Sequence, residues 1–399
     1  MINPSANGWI DKFFFEQKIV QDTPIPSADG FYNSTRKTGF IYGHIISFDT
    51  NRAIDPKGWL TEEISKVALL NSLHGVFRLT FPEKSSQDFV VMAVVFYKEM
   101  NPQGFNLFQK MLPTVSSSGA LEKLIDNRVQ TNDNIISKNF SHIVTNALLF
   151  VDVLAFQHYL TEGSIPEKYL KKIEETIVSI VTLALKTKSK KSQHDDLLIK
   201  LFEASVRYSK FYKVNILNLE ALELDFFKNS LEKKYLIDMA GLALWSDGVV
   251  ENDEAYFLHA LASLMGIDDI FVQQSIASTD DFIKKHQKEI PYFNYSNPVK
   301  HFYDQTTQLV LTLINRNKKR LIREISQSKE LMVLLANSTQ RDLDKDEKKK
   351  VKKQLLDICK TIPSLTIFLI PGGSLLLPIL IKFIPQLLPS SFNENLDQE

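Results

Sequence analysis

Lys348, Lys349, Lys350, Lys352 and Lys353 stand in one short stretch, and Arg316, Lys318, Lys319, Arg320 and Arg323 make a second cationic group upstream. Cations grouped this way attract phosphate, whether it sits on a lipid headgroup or on nucleic acid. Totals of 47 basic and 47 acidic residues leave the whole chain neutral. Between Leu311 and Lys360, however, 14 Lys and Arg face 7 Asp and Glu, a local excess of 14 − 7 = 7 positive charges. Directly afterwards, Thr361 to Ile381 runs for 21 residues without a charge, 17 of them aliphatic, aromatic, Gly or Pro. A basic stretch opening onto an uncharged one suits a membrane surface, where headgroups hold the cations and hydrocarbon the rest.

Other constellations carry less chemistry. Asp247, Glu251, Asp253 and Glu254 gather at one turn, and several carboxylates suit a hard divalent cation. Asp before Gly is equally ordinary turn chemistry, and first-turn carboxylates gain a few tenths to about 1 kcal/mol from the helix dipole without a metal. Capping is the reading adopted, and no metal is assigned. Asp342 to Glu347 opens like an EF-hand loop, but Glu347 stands where glycine is needed and Lys353 where glutamate is needed, so that site is rejected. His194 beside Asp195 and Asp196 reads as a solvated helix start. No P-loop, Rossmann fingerprint, HExxH, GxSxG or paired Cys/His signature occurs, so neither an enzyme nor a cofactor is expected. Cys359, the one cysteine, cannot close an internal disulfide, which suits a reducing compartment.

These residues must be positioned by helices. The chain has 399 residues, 44% hydrophobic and 24% charged, an ordinary globular composition too long for one compact core. Charges at Asp11 and Lys12 break up the N-terminal apolar residues, so no secretory signal is read there. Thr61, Glu62 and Glu63 announce a helix running to about Leu73. Gly39–Phe48 and Val76–Phe81 are each short enough to be strand or helix, and Gly39 and Gly43 read as close packing or a turn. Phe140–Phe156 is an apolar helix. Ile165, Tyr169, Leu170, Ile173, Ile177, Ile180 and Val181 recur at helical spacing, with Ser164 as the expected N-cap and Pro166 in the first turn. The lysine-rich Lys186–Ser192 then leads to a second apolar series at Leu197, Leu198, Leu201 and Phe202, together a helical hairpin. Asp344 followed by Glu347 makes a capping box for the helix carrying the five lysines.

The expected fold is all-α, a multi-module helical bundle divided into a mainly helical region 1–130, a hairpin 131–215, a helical domain 216–295, a basic segment 296–360, an apolar segment 361–393 and an acidic tail 394–399. In the third module, Met239–Val250 (MAGLALWSDGVV) with Glu254 and the ending Leu264–Ile267 (LMGI) resembles the tellurite-resistance TerB-like helical domain. The family's recurring turn aspartate, its glycine and a glutamate seven residues on fall at Asp247, Gly248 and Glu254. Glu251 stands where that family usually has a small capping residue.

The apolar segment is long enough to cross about 30 Å of hydrocarbon, but Pro363, Pro371, Gly372, Gly373 and Pro378 interrupt it. It either crosses once with a kink, re-enters as two short helices, or packs inside a helical bundle; membrane contact is favoured. Leu355–Pro363 (LLDICKTIP), Phe368–Pro378 (FLIPGGSLLLP) and Lys382–Phe392 (KFIPQLLPSSF) resemble the hallmark segment of the Letm proteins of the mitochondrial inner membrane and their bacterial relatives. The ordered Pro363, Pro371, Pro378, Pro385 and Pro389, with Phe368, Gly372, Gly373, Lys382 and Phe392, carry the likeness. Ser391 replaces the family's threonine. The resemblance implies a membrane-associated role in ion or envelope homeostasis. Joined to a TerB-like module, it is similar to bacterial Letm-related proteins, some labelled biofilm-associated. In the mitochondrial relatives a helical domain associated with ribosome binding follows the segment, and no such domain is read here.

The function expected is therefore non-enzymatic: a helical protein at the cytoplasmic face of the inner membrane, peripheral or anchored near its C-terminus. Its partners would be anionic lipids and a protein or a second copy. The alternative is a soluble scaffold that binds a protein, ribosome or nucleic acid through the basic helices, its apolar segment packed inside.

Overall fold

The structure, a computed structural model, describes residues 2–17, 27–48, 54, 56, 58–100, 116–129, 135–188, 218–245, 252–286, 298–362, 365, 380, 381, 383 and 384. Every regular element among these is helical, so the all-α class holds. The chain forms two compact units: Met1–Pro56 with Thr61–Thr131 and Phe140–Asn294, and Lys57–Leu60 with Asn132–Asn139 and Tyr295–Glu399.

The first unit contains α1 (Trp9–Gln17), α2 (Ala28–Lys37), α3 (Thr61–Thr80), α4 (Ser86–Met100), α5 (Ser117–Val129), all but the first five residues of α6 (Ile135–Glu162), α7 (Tyr169–Thr187), α8 (Ser230–Leu244), α9 (Asn252–Met265) and α10 (Asp269–His286). Helix α5 packs against α4, α3 and α1, while α8 packs against α7, α10 and α9. Aromatic rings of α6 join the two groups. Phe156 meets Phe96 of α4 at 5.0 Å between ring centres, and Phe150 meets Tyr235 of α8 at 5.0 Å and Tyr32 of α2 at 6.0 Å. Edge and tilted ring contacts of this kind add about 0.5–1.5 kcal/mol each beyond burial.

Several helix boundaries are set by local chemistry. Asn229 caps α8 by accepting from Leu231, and Glu232 returns a bond to the Asn229 amide. Gly266, at φ +65°, ends α9, and the Ile267 amide donates across it to Ala262. Helix α3 starts at Thr61 as its acidic first turn suggested but continues to Thr80, so Val76–Thr80 is helix and Phe81 follows it, with Val76 and Phe77 buried. Gly39–His44 is a turn: Gly39 has φ +83°, and a Cβ there would strike the His44 carbonyl. Ser164 caps nothing. Helix α7 opens instead at Tyr169, after Lys168 adopts a left-handed conformation, and the Ile165 amide is taken by Glu99. Pro166 therefore lies before the helix, its carbonyl accepting from Tyr169.

Two fully buried carboxylates hold distant helices together. Asp238 of α8 accepts from the Tyr32 hydroxyl at 2.6 Å, from Arg36 Nε at 2.9 Å and from Ser275 of α10. Asp152 of α6 accepts from Tyr97 of α4 at 3.1 Å and from Arg128 of α5 through two guanidinium nitrogens. Each pairs one Arg and one Tyr with a carboxylate that has no exposed surface. Burial, then the Asp238 charge, holds the Tyr32 hydroxyl well above the usual tyrosine range, so it stays protonated and donating. Removing one partner strands the other charge in a low-dielectric core. Asp238→Ala is expected to cost about 3–5 kcal/mol in urea denaturation of the full chain.

His158 of α6 bridges Glu232 at 2.6 Å and Glu162 at 3.2 Å. Burial alone would lower its pKa, but hydrogen bonds and charge from Glu232 and then Glu162 raise it above the usual histidine value. A folded-state pKa above the unfolded one gives stability fully present below about pH 6.5 and lost as pH rises through the folded value. Between pH 6 and pH 8.5 the urea midpoint should fall more in the natural chain than in His158→Gln; equal slopes would show that the bridge is not titrating.

Candidate functional site

The second unit is built on α11 (Pro298–Ser326), α12 (Lys329–Gln340) and α13 (Lys345–Thr361). Val310, Leu313, Ile314, Leu321 and Ile325 of α11 form its core with Leu331, Leu334 and Leu335 of α12 and Val351, Leu355 and Cys359 of α13. Ser328 caps α12. Asp344 caps α13 by accepting from Asp346 and Glu347, and Glu347 returns a bond to the Asp344 amide, the capping box its spacing predicts. Arg341 grips Glu347 with two nitrogens at 2.8 and 2.6 Å, and these hydrogen bonds, then that from the Asp344 amide, bring the Glu347 carboxyl down to about 2. Carboxylates of the EF-hand-like stretch are thus engaged in capping. Among the described residues, no group of three or more His, Cys, Asp or Glu is placed to hold a metal ion.

With the apolar faces inward, the cations point out. Lys318, Lys319, Arg320 and Arg323 are exposed, and Arg316 is half-buried. Arg316, Lys319, Arg320 and Arg323 fall at i, i+3, i+4 and i+7, one stripe of α11. On α13, Lys348, Lys349, Lys352 and Lys353 are exposed at i, i+1, i+4 and i+5, beside the buried line of Val351, Leu355 and Cys359. Lys350 differs from them: it pairs with Glu330 of α12 at 3.0 Å, and Glu330 also accepts from Gln354, whose amide oxygen accepts from Ser328. Sequence reading counted Lys350 with the surface group because its partner lies in another helix.

The described ends of the uncharged run join the same core. Leu365, Leu380 and Ile384 have no exposed surface and pack with α11–α13, and Ile381 and Phe383 lie against them half-buried. A signal for this was present: Val351, Leu355, Cys359, Ile362 and Leu365 continue one helical spacing past the last lysine. Among the described residues no helix is long and apolar enough to cross a membrane. Pro363, Phe368, Pro371, Gly372, Gly373, Pro378, Lys382, Pro385, Pro389 and Phe392 lie outside the described residues, as do Asp247 and Gly248 of the TerB-like turn and the expected helix at Leu197–Phe202. Glu254, the third residue of that turn pattern, is buried at the start of α9.

With this geometry in hand, comparison with known proteins locates one relationship. Residues 343–399 match the family described as "LETM1-like, RBD". No curated protein and no solved structure matches the chain. The second unit thus ends in a Letm-related segment, and the chain is an all-α protein that carries it. The match begins at Leu343, so it takes in the Asp344 capping box and the whole lysine stripe of α13, upstream of the residues that first suggested the likeness.

Cys359 makes this packing measurable. Its side chain is 1% exposed, and burial pushes its thiol up to about 12, leaving almost no thiolate at neutral pH. In the native chain Cys359 should resist an aromatic disulfide reagent. Leu380→Asp, which places a charge in that core, should speed labelling about a hundredfold, as a loss of roughly 3 kcal/mol implies. Prompt stoichiometric labelling of the natural protein would show that the run does not pack this way.

Proposed function

We propose that this protein is a non-enzymatic, Letm-like accessory factor that docks on an anionic membrane surface through its second unit, at the cytoplasmic face of the inner membrane, in support of ion or envelope homeostasis. The observation that carries the reading is the exposed stripe Lys348, Lys349, Lys352 and Lys353, which lies inside the Letm-related segment and leads directly into its uncharged run. Near an anionic surface each such cation contributes about 1 kcal/mol, and the attraction fades beyond roughly 8–10 Å at physiological salt. Four together give reversible, salt-sensitive binding. Leu365, Leu380 and Ile384 serve the unit's own core, so in this reading the initial contact is electrostatic and peripheral. The resemblance of the middle module to TerB-like domains, and of the combination to biofilm-associated Letm-related proteins, belongs to the same proposal. No ion pathway is proposed: Thr361–Ile381 contains no carboxylate to relay a proton or coordinate an ion.

A second reading has one observation in its favour. The burial of Leu365, Leu380 and Ile384 is what a scaffold with its apolar segment tucked inside would show, its lysines then serving a ribosome, other nucleic acid or a protein.

Co-sedimentation of the full chain with neutral and with phosphatidylglycerol-rich vesicles separates the two. Binding to the anionic vesicles is expected to weaken by at least about tenfold in the quadruple Lys348/349/352/353→Gln variant and to be lost in high salt. Absence of vesicle binding, with ribosome co-sedimentation that the same variant abolishes, would install the second reading.

A further inference from the structure

In the first unit a cavity of about 520 Å³ opens between α2, the turn after it and α10. Arg36 forms part of its wall, 4% exposed and fixed from behind: Nε bonds Asp238, Nη1 reaches Ser278 at 3.3 Å, and the guanidinium lies 4.8 Å from the Phe271 ring centre. Its Nη2 is buried and makes no hydrogen bond. That nitrogen has no accessible surface and so does not open onto the cavity; what Arg36 gives this wall is its charge. Other donors share this wall. The Tyr42 oxygen accepts from Thr279 at 3.2 Å, which leaves its own proton to give, and the Ser278 hydroxyl likewise accepts from Arg36 and keeps its proton.

Charge at the cavity favours an anion. Asp238 answers Arg36, and Asp281 answers Lys285 through an exposed pair at 2.8 Å, a contact worth little in water and readily exchanged. Lys37 is exposed with no acidic partner among the described residues, so the lining with Asp238 behind it is positive by one charge even with His286 neutral. The volume exceeds what a bare oxyanion fills and lies in the range of small-molecule sites. Phe282 and Ile46 supply an apolar wall for the remainder of such a ligand.

We infer that this cavity binds a small organic oxyanion, a phosphate or carboxylate on a compact apolar body, with the anionic group at Arg36, Ser278 and Lys37 and the body against Phe282. It does not depend on the membrane reading, since it concerns the first unit alone.

Isothermal titration of the full-length protein tests it with inorganic phosphate, phenyl phosphate, benzoate and phenol as probes. Saturable binding of phenyl phosphate, tighter than inorganic phosphate and with phenol inactive, is expected; benzoate tells whether carboxylate serves as well as phosphate. Lys37→Gln, at an exposed position that holds no helix, should weaken binding about fivefold, and Ser278→Ala by a similar factor. No saturable heat with any oxyanion, or equal affinity in the natural chain and both variants, would overturn the assignment. Circular dichroism of each variant establishes that the fold is intact before the affinities are compared.

Discussion

Hydrocarbon side chains gain about as much from leaving water for a protein core as for a bilayer, so the second unit rests on where Leu365, Leu380 and Ile384 go. Burying them contributes roughly 5–9 kcal/mol of apolar transfer on the usual scale, and all three are buried against α11, α12 and α13. What tips such a choice is the backbone. A stretch broken by Pro363, Pro371 and Pro378 cannot satisfy its carbonyls and amides within one uninterrupted helix, and unpaired peptide groups are costly in lipid. Packing onto preformed helices allows protein groups or water to serve them. The lysines of α13 are displayed outward because the opposite side of that helix is occupied by this core.

The first unit solves a different problem. Its helices come from widely separated parts of the chain, and apolar contact alone distinguishes poorly between alternative pairings of similar faces. Asp152 and Asp238 discriminate, because each is satisfied only when a particular tyrosine and a particular arginine arrive together. Glu122 works in the same way, accepting from the Gly8 and Ile10 amides to cap α1 from a position on α5. A helix start that carries no cap in its own sequence is thereby satisfied at long range.

What could be read from residue order follows from this. Local chemistry was legible: the Asp344–Glu347 box, the acidic start of α3 and the cationic stripes are all written within one or two turns of helix. Ser164 misled because a serine before a proline resembles a cap, whereas the Pro166 carbonyl and a left-handed Lys168 start α7 five residues later. Val76–Phe81 was ambiguous because a short apolar stretch carries no period of its own, and the helix preceding it decided. Lys350, Arg36 and Tyr32 were illegible for a common reason: their partners lie in other helices, and nothing in the residues nearby announces them.

The Asp238 junction also imposes an order on biosynthesis. Arg36 precedes Asp238 by 202 residues, and Ser275 comes 37 later still. At about 5–20 residues per second, α2 waits roughly 10–40 s beyond the exit tunnel before its acceptor is made. Phe31 is covered earlier, against Gly75 of α3, and Tyr32 meets Phe150 of α6, but the Arg36 guanidinium and the Tyr32 hydroxyl have no acceptor in Asp238 until α8 is made. Apolar packing thus brings the early helices together first, and the charge pairing that fixes their arrangement closes only when the middle of the chain arrives.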